Sequence, residues 1–308
     1  MENIVKPIFM IGMGRSGTTT ISEALSAHEM VAWFPNYMNF LPALTFGCFF
    51  LRILDIPGLG FYLRGKKKQD KQWTSLLRRC LPHMVEAYPV WQRHCGEKLK
   101  FDYLLNQIAS LEESRAISRT MRKILILQGK KRFFAKFTGP PRICYLNSIF
   151  PDAYFINIIR DPRAVIRSLL KVAFWKERGG LKKLWWKNGP KIDDFDIETS
   201  EDLMPLKLAA LQWKTVLEVA WQESKLIDQK RYIEIRYEDY VGNPHNTLSG
   251  LMTKIELPQS TNVHRYLDSM GRPSNMNYKF KNDFSLNEIE VIKMITSSTA
   301  KKAGYLYS

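Results

Sequence analysis

The first apolar block of the chain, Ile8-Phe9-Met10-Ile11, is uninterrupted and stops at Gly12, the pattern of a short strand buried on both faces in a parallel sheet. After a polar loop from Gly12 to Thr19, residues Ile21, Ala24, Leu25 and His28 recur at helical spacing, so the opening unit is strand, loop, helix. A helical pattern then covers Tyr103 to Leu127. Phe133 to Phe137 reads as a strand closed by Gly139-Pro140-Pro141. Ala153 to Ile159 is a second strongly apolar strand, and Asp161-Pro162 behind it supplies an N-cap followed by proline at the first helical position. Tyr232 to Tyr237 alternates as a strand with Ile233, Ile235 and Tyr237 on one face. Helices are predicted from Pro205 to about Ile227, after Asn243-Pro244, and from the capping box Ser285-Leu286-Asn287-Glu288 to about Ala303. One stretch breaks the rhythm: residues 30–70 are aromatic, interrupted by Pro35, Pro42 and Pro57, and read as a surface-bearing insertion outside the sheet. With no internal repeat and no linker, the alternation of strand and helix predicts a single α/β domain over residues 1–308 with a central, mainly parallel sheet flanked by helices.

The loop Gly12-Met13-Gly14-Arg15-Ser16-Gly17-Thr18-Thr19 stands between a strand and a helix, where glycine spacing turns backbone N–H groups toward a phosphate. Its outer glycines have the spacing of a nucleotide-triphosphate loop, but Thr18 occupies the place of the lysine that reaches the β- and γ-phosphates. That weakens a kinase or NTPase reading. Arg15 instead sets a cation beside the bound anion, and Thr18 and Thr19 add hydroxyls at the helix start. The second strand runs into Arg160-Asp161-Pro162-Arg163-Ala164-Val165-Ile166-Arg167-Ser168, so that Arg160 leaves the carboxyl end of the strand and Ser168 lies two turns into the next helix. Both can reach one phosphate if strand and helix pack side by side.

Taken together, Pro7 to Thr19 and Phe155 to Ser168 resemble the two nucleotide-binding motifs of sulfotransferases that use 3′-phosphoadenosine 5′-phosphosulfate (PAPS), most nearly the tyrosylprotein and carbohydrate branches. The resemblance covers most of the chain outside residues 30–130, which stand as a divergent helical insertion on the acceptor side. It implies a three-layer fold like that of P-loop NTPases. It assigns Arg15 to the sulfuryl group and leaving 5′-phosphate, Gly14, Ser16, Gly17, Thr18 and Thr19 to the 5′-phosphate cradle, and Arg160 with Ser168 to the 3′-phosphate. Arg236 to Val241 resembles the segment whose tyrosine meets the adenine, which gives Tyr237 that role. Arg272 to Lys281 resembles the loop that closes over the nucleotide and brings Lys279 toward phosphate. PAPS is then the co-substrate, and no metal is expected. The tyrosylprotein branch carries its glutamate base about twenty residues beyond the loop arginine; Asn36 stands there here and cannot take a proton, which leaves His83, Glu86 and His94 as alternatives.

Composition adds a charge argument. There are 46 Lys and Arg against 30 Asp and Glu, a net charge of +16, which attracts anionic ligands or surfaces. A nucleic-acid binder would also fit the charge, but no aromatic-and-basic recognition module is visible, and none is expected as partner. The apolar stretch Met38 to Leu51 is too short to cross a bilayer and reads as a buried helix, an acceptor-pocket wall or an interfacial segment. Beside it, Trp33, Phe34, Phe40, Phe46, Phe49 and Phe50 with Lys66-Lys67-Lys68 and Arg78-Arg79 suit a small-molecule, lipid or glycan acceptor, with peripheral contact to an anionic membrane left open. A cap packed over the site with solvated lysines is the alternative. No signal peptide or N-terminal stalk fits before residue 8, so a cytoplasmic protein is expected. Residues 191–202, with six acids, read as a solvated loop, and Cys48, Cys80, Cys95 and Cys144 as reduced thiols.

Overall fold

A computed structural model describes residues 4–56, 60, 63–64, 81–177, 179–184, 186–191, 200–271 and 275–307. Five strands form one sheet: β1 (Ile8–Gly12), β2 (Val31–Trp33), β3 (Arg132–Lys136), β4 (Tyr154–Ile159) and β5 (Tyr232–Arg236), in the order β2-β3-β1-β4-β5. Every pairing is parallel, with Ile8 opposite both Phe134 and Tyr154, and Ile158 opposite Ile235. The central strands β1, β3 and β4 are buried at every residue, which is why their interiors read as near-continuous apolar runs and not as alternation, with Arg132, Lys136 and Asn157 the polar exceptions.

Helices flank the sheet. Those of six residues or more are α1 (Thr18–Leu25), α2 (Tyr88–Cys95), α3 (Leu111–Gln128), α4 (Ile143–Ile149), α5 (Pro162–Leu170), α6 (Met204–Ser224), α7 (Tyr237–Gly242), α8 (Pro244–Lys254), α9 (Thr261–Met270) and α10 (Leu286–Lys302). One apolar cluster joins the sheet to α1, α3, α8 and α9. A second joins α5, α6 and α10, with Met13 and Tyr103 among its members. The predicted caps form: Asp161 accepts from the Arg163 N–H with Pro162 in the first turn, and Ser285 and Glu288 close a full capping box. Cys48, Cys95 and Cys144 are free thiols. Cys80, Lys66 to Lys68, Arg78, Arg79 and most of the acidic 191–202 stretch lie outside the described residues.

Four local expectations are corrected. Val31–Trp33 is an edge strand of the sheet, too short to show a period in the sequence. The long helix does not begin at Tyr103. Leu104 and Asn106 adopt left-handed backbone, and α3 starts only where Ser110 and Glu113 form a capping box. Residues 38–51 are not one buried helix but 3-10 turns (Asn36–Asn39 and Phe46–Asp55) with several apolar side chains turned to solvent. β5 ends at Arg236, so Tyr237 opens α7 and does not share a strand face with Ile233 and Ile235.

Candidate active site

From β1 the chain crosses to β2 and β3 on one side of the sheet, whereas from β4 it moves to β5 on the other. The carboxyl ends of the adjacent strands β1 and β4 therefore face a crevice that no connection covers, the place where open parallel sheets take their ligands. The glycine loop leaves β1 there, and Arg160 leaves β4 there.

The two motifs meet side chain to backbone. Arg160 Nη1 donates to the Arg15 carbonyl oxygen at 3.0 Å, and Arg15 Nε donates to Ser168 Oγ at 2.8 Å. Arg15 has φ 76°, a left-handed backbone that costs a non-glycine residue about 1–2 kcal/mol. Burial lowers the pKa of both guanidiniums, which nonetheless keep their charge. The Arg160 guanidinium lies 4.2 Å over the Tyr237 ring, a cation stacked on an aromatic face. Tyr237 in turn rests against Gly17, where φ is 91° and an added Cβ would stand 2.3 Å from the ring. So Arg15, Gly17, Arg160, Ser168 and Tyr237 are gathered in one place.

The loop retains donors for a ligand. The Ser16 hydroxyl is buried without a hydrogen-bond partner among the described residues, and the first N–H groups of α1, those of Thr18 and Thr19, have no acceptor within the helix. An anion with several acceptor oxygens fits this set. Gly14 is flanked by open space. Among the described residues no three His, Cys, Asp or Glu side chains converge as a metal ligand set.

Three participants escaped the sequence reading. Lys136, only 2% exposed at the end of β3, reaches to 3.3 Å from Thr19 Oγ1 and 3.7 Å from a Glu86 carboxylate oxygen. A lysine ending the apolar run Phe133-Phe134-Ala135 was the available signal. Asn277 accepts from Arg160 Nε at 2.9 Å and donates to Glu238, and nothing in the sequence marks it. Glu238 also accepts from the Asp161 N–H and the Tyr305 hydroxyl, bracing the start of α5 against α7 and the chain end. Lys279 lies two residues beyond Asn277 in the 3-10 segment Asn277–Asn282, half-buried; its backbone N–H donates to the Met276 carbonyl, and its ammonium makes no hydrogen bond or ion pair among the described residues.

The alternatives to Asn36 separate clearly. Glu86 accepts from Thr138 Oγ1 at 2.9 Å beside Lys136, at the carboxyl end of β3. His94 is hydrogen-bonded to Thr120 on α3. His83 lines a small cavity with Glu23, Trp33 and Arg64. Asn36 receives the His83 carbonyl on its N–H, and its amide reaches the Leu81 carbonyl, so it pins the segment that delivers Glu86.

A parallel sheet with a glycine loop and unpartnered loop donors at its switch point is the arrangement in which α/β proteins commonly take nucleotides or phosphate esters. Residues 7–261 match the family model described as "Sulfotransferase family", and the chain belongs to that family. It is 24% identical over 271 residues to the omega-hydroxy-beta-dihydromenaquinone-9 sulfotransferase Stf3 of Mycobacterium bovis, which covers 82% of this chain and 63% of the relative. It is 21% identical over 235 residues to the protein-tyrosine sulfotransferase 2 of Gallus gallus, 73% of this chain and 54% of the relative. The chain thus spans less than two thirds of the length of these relatives. Among solved structures, the sulfotransferase STF9 from Mycobacterium avium superposes with a TM-score of 0.61 at 12% identity, over 98% of this chain and 77% of the other. The shared fold is the three-layer, P-loop NTPase-like architecture predicted above.

Proposed function

We propose that the chain transfers a sulfuryl group from PAPS to a hydroxyl or amine of a lipid-like acceptor. The observation that carries this reading is the direct linkage of the two phosphate-binding motifs, Arg160 to the Arg15 backbone and Arg15 to Ser168. A doubly phosphorylated nucleotide gripped at both ends needs that proximity. The loop amides, Gly14, Ser16, Gly17, Thr18 and Thr19 cradle the 5′-phosphate; Arg160 and Ser168 hold the 3′-phosphate; Tyr237 supports the adenine, and Lys279 adds charge at the closing turn. The name of the mycobacterial relative, an enzyme acting on a hydroxylated menaquinone, supports a lipid-like acceptor over a glycan.

In the displacement, the acceptor oxygen attacks sulfur in line. The S–O bond to the 5′-phosphate breaks, its electron pair stays with that phosphate, and the acceptor proton goes to a base. Arg15 faces the charge gathering on the leaving group, and such preorganised cations are the main catalytic resource of transfers of this type. Glu86 takes the proton, oriented by Thr138, with Lys136 between base and loop.

Adenosine 3′,5′-bisphosphate and Mg–ATP compared in a melting assay test the reading. The bisphosphate at a hundredfold excess over its dissociation constant stabilises by about 2.7 kcal/mol, whereas Arg160→Ala removes the shift. Glu86→Gln retains the shift yet loses about a hundredfold or more in turnover of labelled donor. A chain stabilised by Mg–ATP and indifferent to the bisphosphate overturns the proposal.

A further inference from the structure

The surface beside α3 has a composition the active site does not explain. In the turn Phe46–Asp55, Cys48, Leu51 and Leu54 point inward, but the outward positions are Phe46, Phe49, Phe50 and Ile53 where a soluble face carries polar groups. Phe46 is 62% and Phe50 67% exposed, and Phe40, just before them, 85%. The rings of Phe46, Phe49 and Phe50 cluster on one another with centroids 6.0–6.3 Å apart. Leu41, Leu44 and Ile56 extend the exposed apolar surface. A contiguous patch of this kind marks an interaction site.

A cationic strip adjoins it. Arg52 lies 5.3 Å over the Phe49 ring while its guanidinium donates to the carbonyls of Ile126 and Leu127, in the last turn of α3. From that turn backward, α3 carries Arg122, Arg119 and Arg115 on one stripe with the exposed Ile126, and Lys123 next to it. These four cations make no ion pair among the described residues, and α3 has no acid beyond its first turn. Apolar side chains set against unneutralised arginines complement a bilayer with anionic headgroups, where rings enter the acyl boundary and cations stay at the phosphates.

We infer that the phenylalanine turn and the arginine face of α3 together dock the protein on an anionic lipid surface. The inference stands apart from the transferase reading, because it uses none of the active-site residues.

Flotation of the full chain with phosphatidylcholine vesicles, with and without phosphatidylglycerol, provides the test. Expected are binding to the anionic vesicles alone, weakening with added salt, and a loss of about tenfold or more in Phe46→Ser/Phe50→Ser and, separately, in Arg115→Glu/Arg119→Glu. Both variants should keep the wild-type melting temperature and its shift with adenosine 3′,5′-bisphosphate. Absence of binding to anionic vesicles, binding that both variants retain, or retention of an oligonucleotide in place of vesicles overturns the inference. Vesicle binding by a chain that ignores the bisphosphate upholds the docking surface and sinks the transferase reading alone.

Discussion

Gly17 bears on both ligand and fold through one missing methyl group. Its backbone is left-handed and its Cα faces the Tyr237 ring, so alanine meets two penalties at once. Gly17→Ala is expected to lower stability by roughly 1–3 kcal/mol and to weaken adenosine 3′,5′-bisphosphate binding by more than about tenfold, since displacing Tyr237 also displaces the guanidinium stacked on it. Calorimetric titration checks the second effect; unchanged affinity would show that the ring does not support the nucleotide. At this scale the sequence was informative wherever chemistry is local. Arg15, Ser16, Gly17 and Thr18 declare themselves by spacing within eight residues, and Arg160 and Ser168 by theirs. Asn277 and Lys136 act across more than a hundred positions, at Arg160 and at Thr19, and local spacing carries no such information.

Between elements, the junction of α4 and α6 holds an ionisable load. Glu223 on α6 is 4% exposed and accepts the Ile143 N–H at 2.7 Å, while its second oxygen has no hydrogen-bond partner among the described residues. Burial pushes this carboxyl up to about 7, with the neighbouring Arg142 opposing. Below about 4.5 the folded and unfolded chains both carry the proton; between 4.5 and 7 only the folded chain keeps it. Stability is therefore lost as pH rises through that window, by on the order of 3 kcal/mol, and levels off above it. Glu223→Gln should flatten the melting temperature between pH 5 and 8 and raise it at the upper end; an unaltered slope would exclude this group. Element boundaries were legible where side chains cap them, as at Asp161, Asn243 and Ser285. They were illegible where backbone turns against the apolar pattern, as at Leu104 and Asn106 before α3, or where a strand has three residues, as β2 does.

For the molecule as a whole, the site exists only when β1, β4, α5 and α7 are assembled, because each supplies one corner of the Arg15, Arg160, Ser168 and Tyr237 group. A ligand that needs all four binds the native state and little before it. Adenosine 3′,5′-bisphosphate is expected to slow unfolding, followed by tryptophan fluorescence in denaturant jumps, and to leave the refolding rate unchanged. Faster refolding with ligand would mean that the corner forms early. The fold class was readable from alternation alone, since buried parallel strands leave continuous apolar runs. The strand order was not, because a run of apolar residues does not say which other run lies beside it.

That order has a consequence for a chain emerging from the ribosome. β1 is made before the other four strands of the sheet, yet its two neighbours begin at Arg132 and Tyr154. At translation speeds of about 5–20 residues per second, a strand that the finished fold buries at every residue stays without a mate for several seconds at least. Newly made copies are thus most vulnerable to coalescence during that interval, and most in need of a holding chaperone.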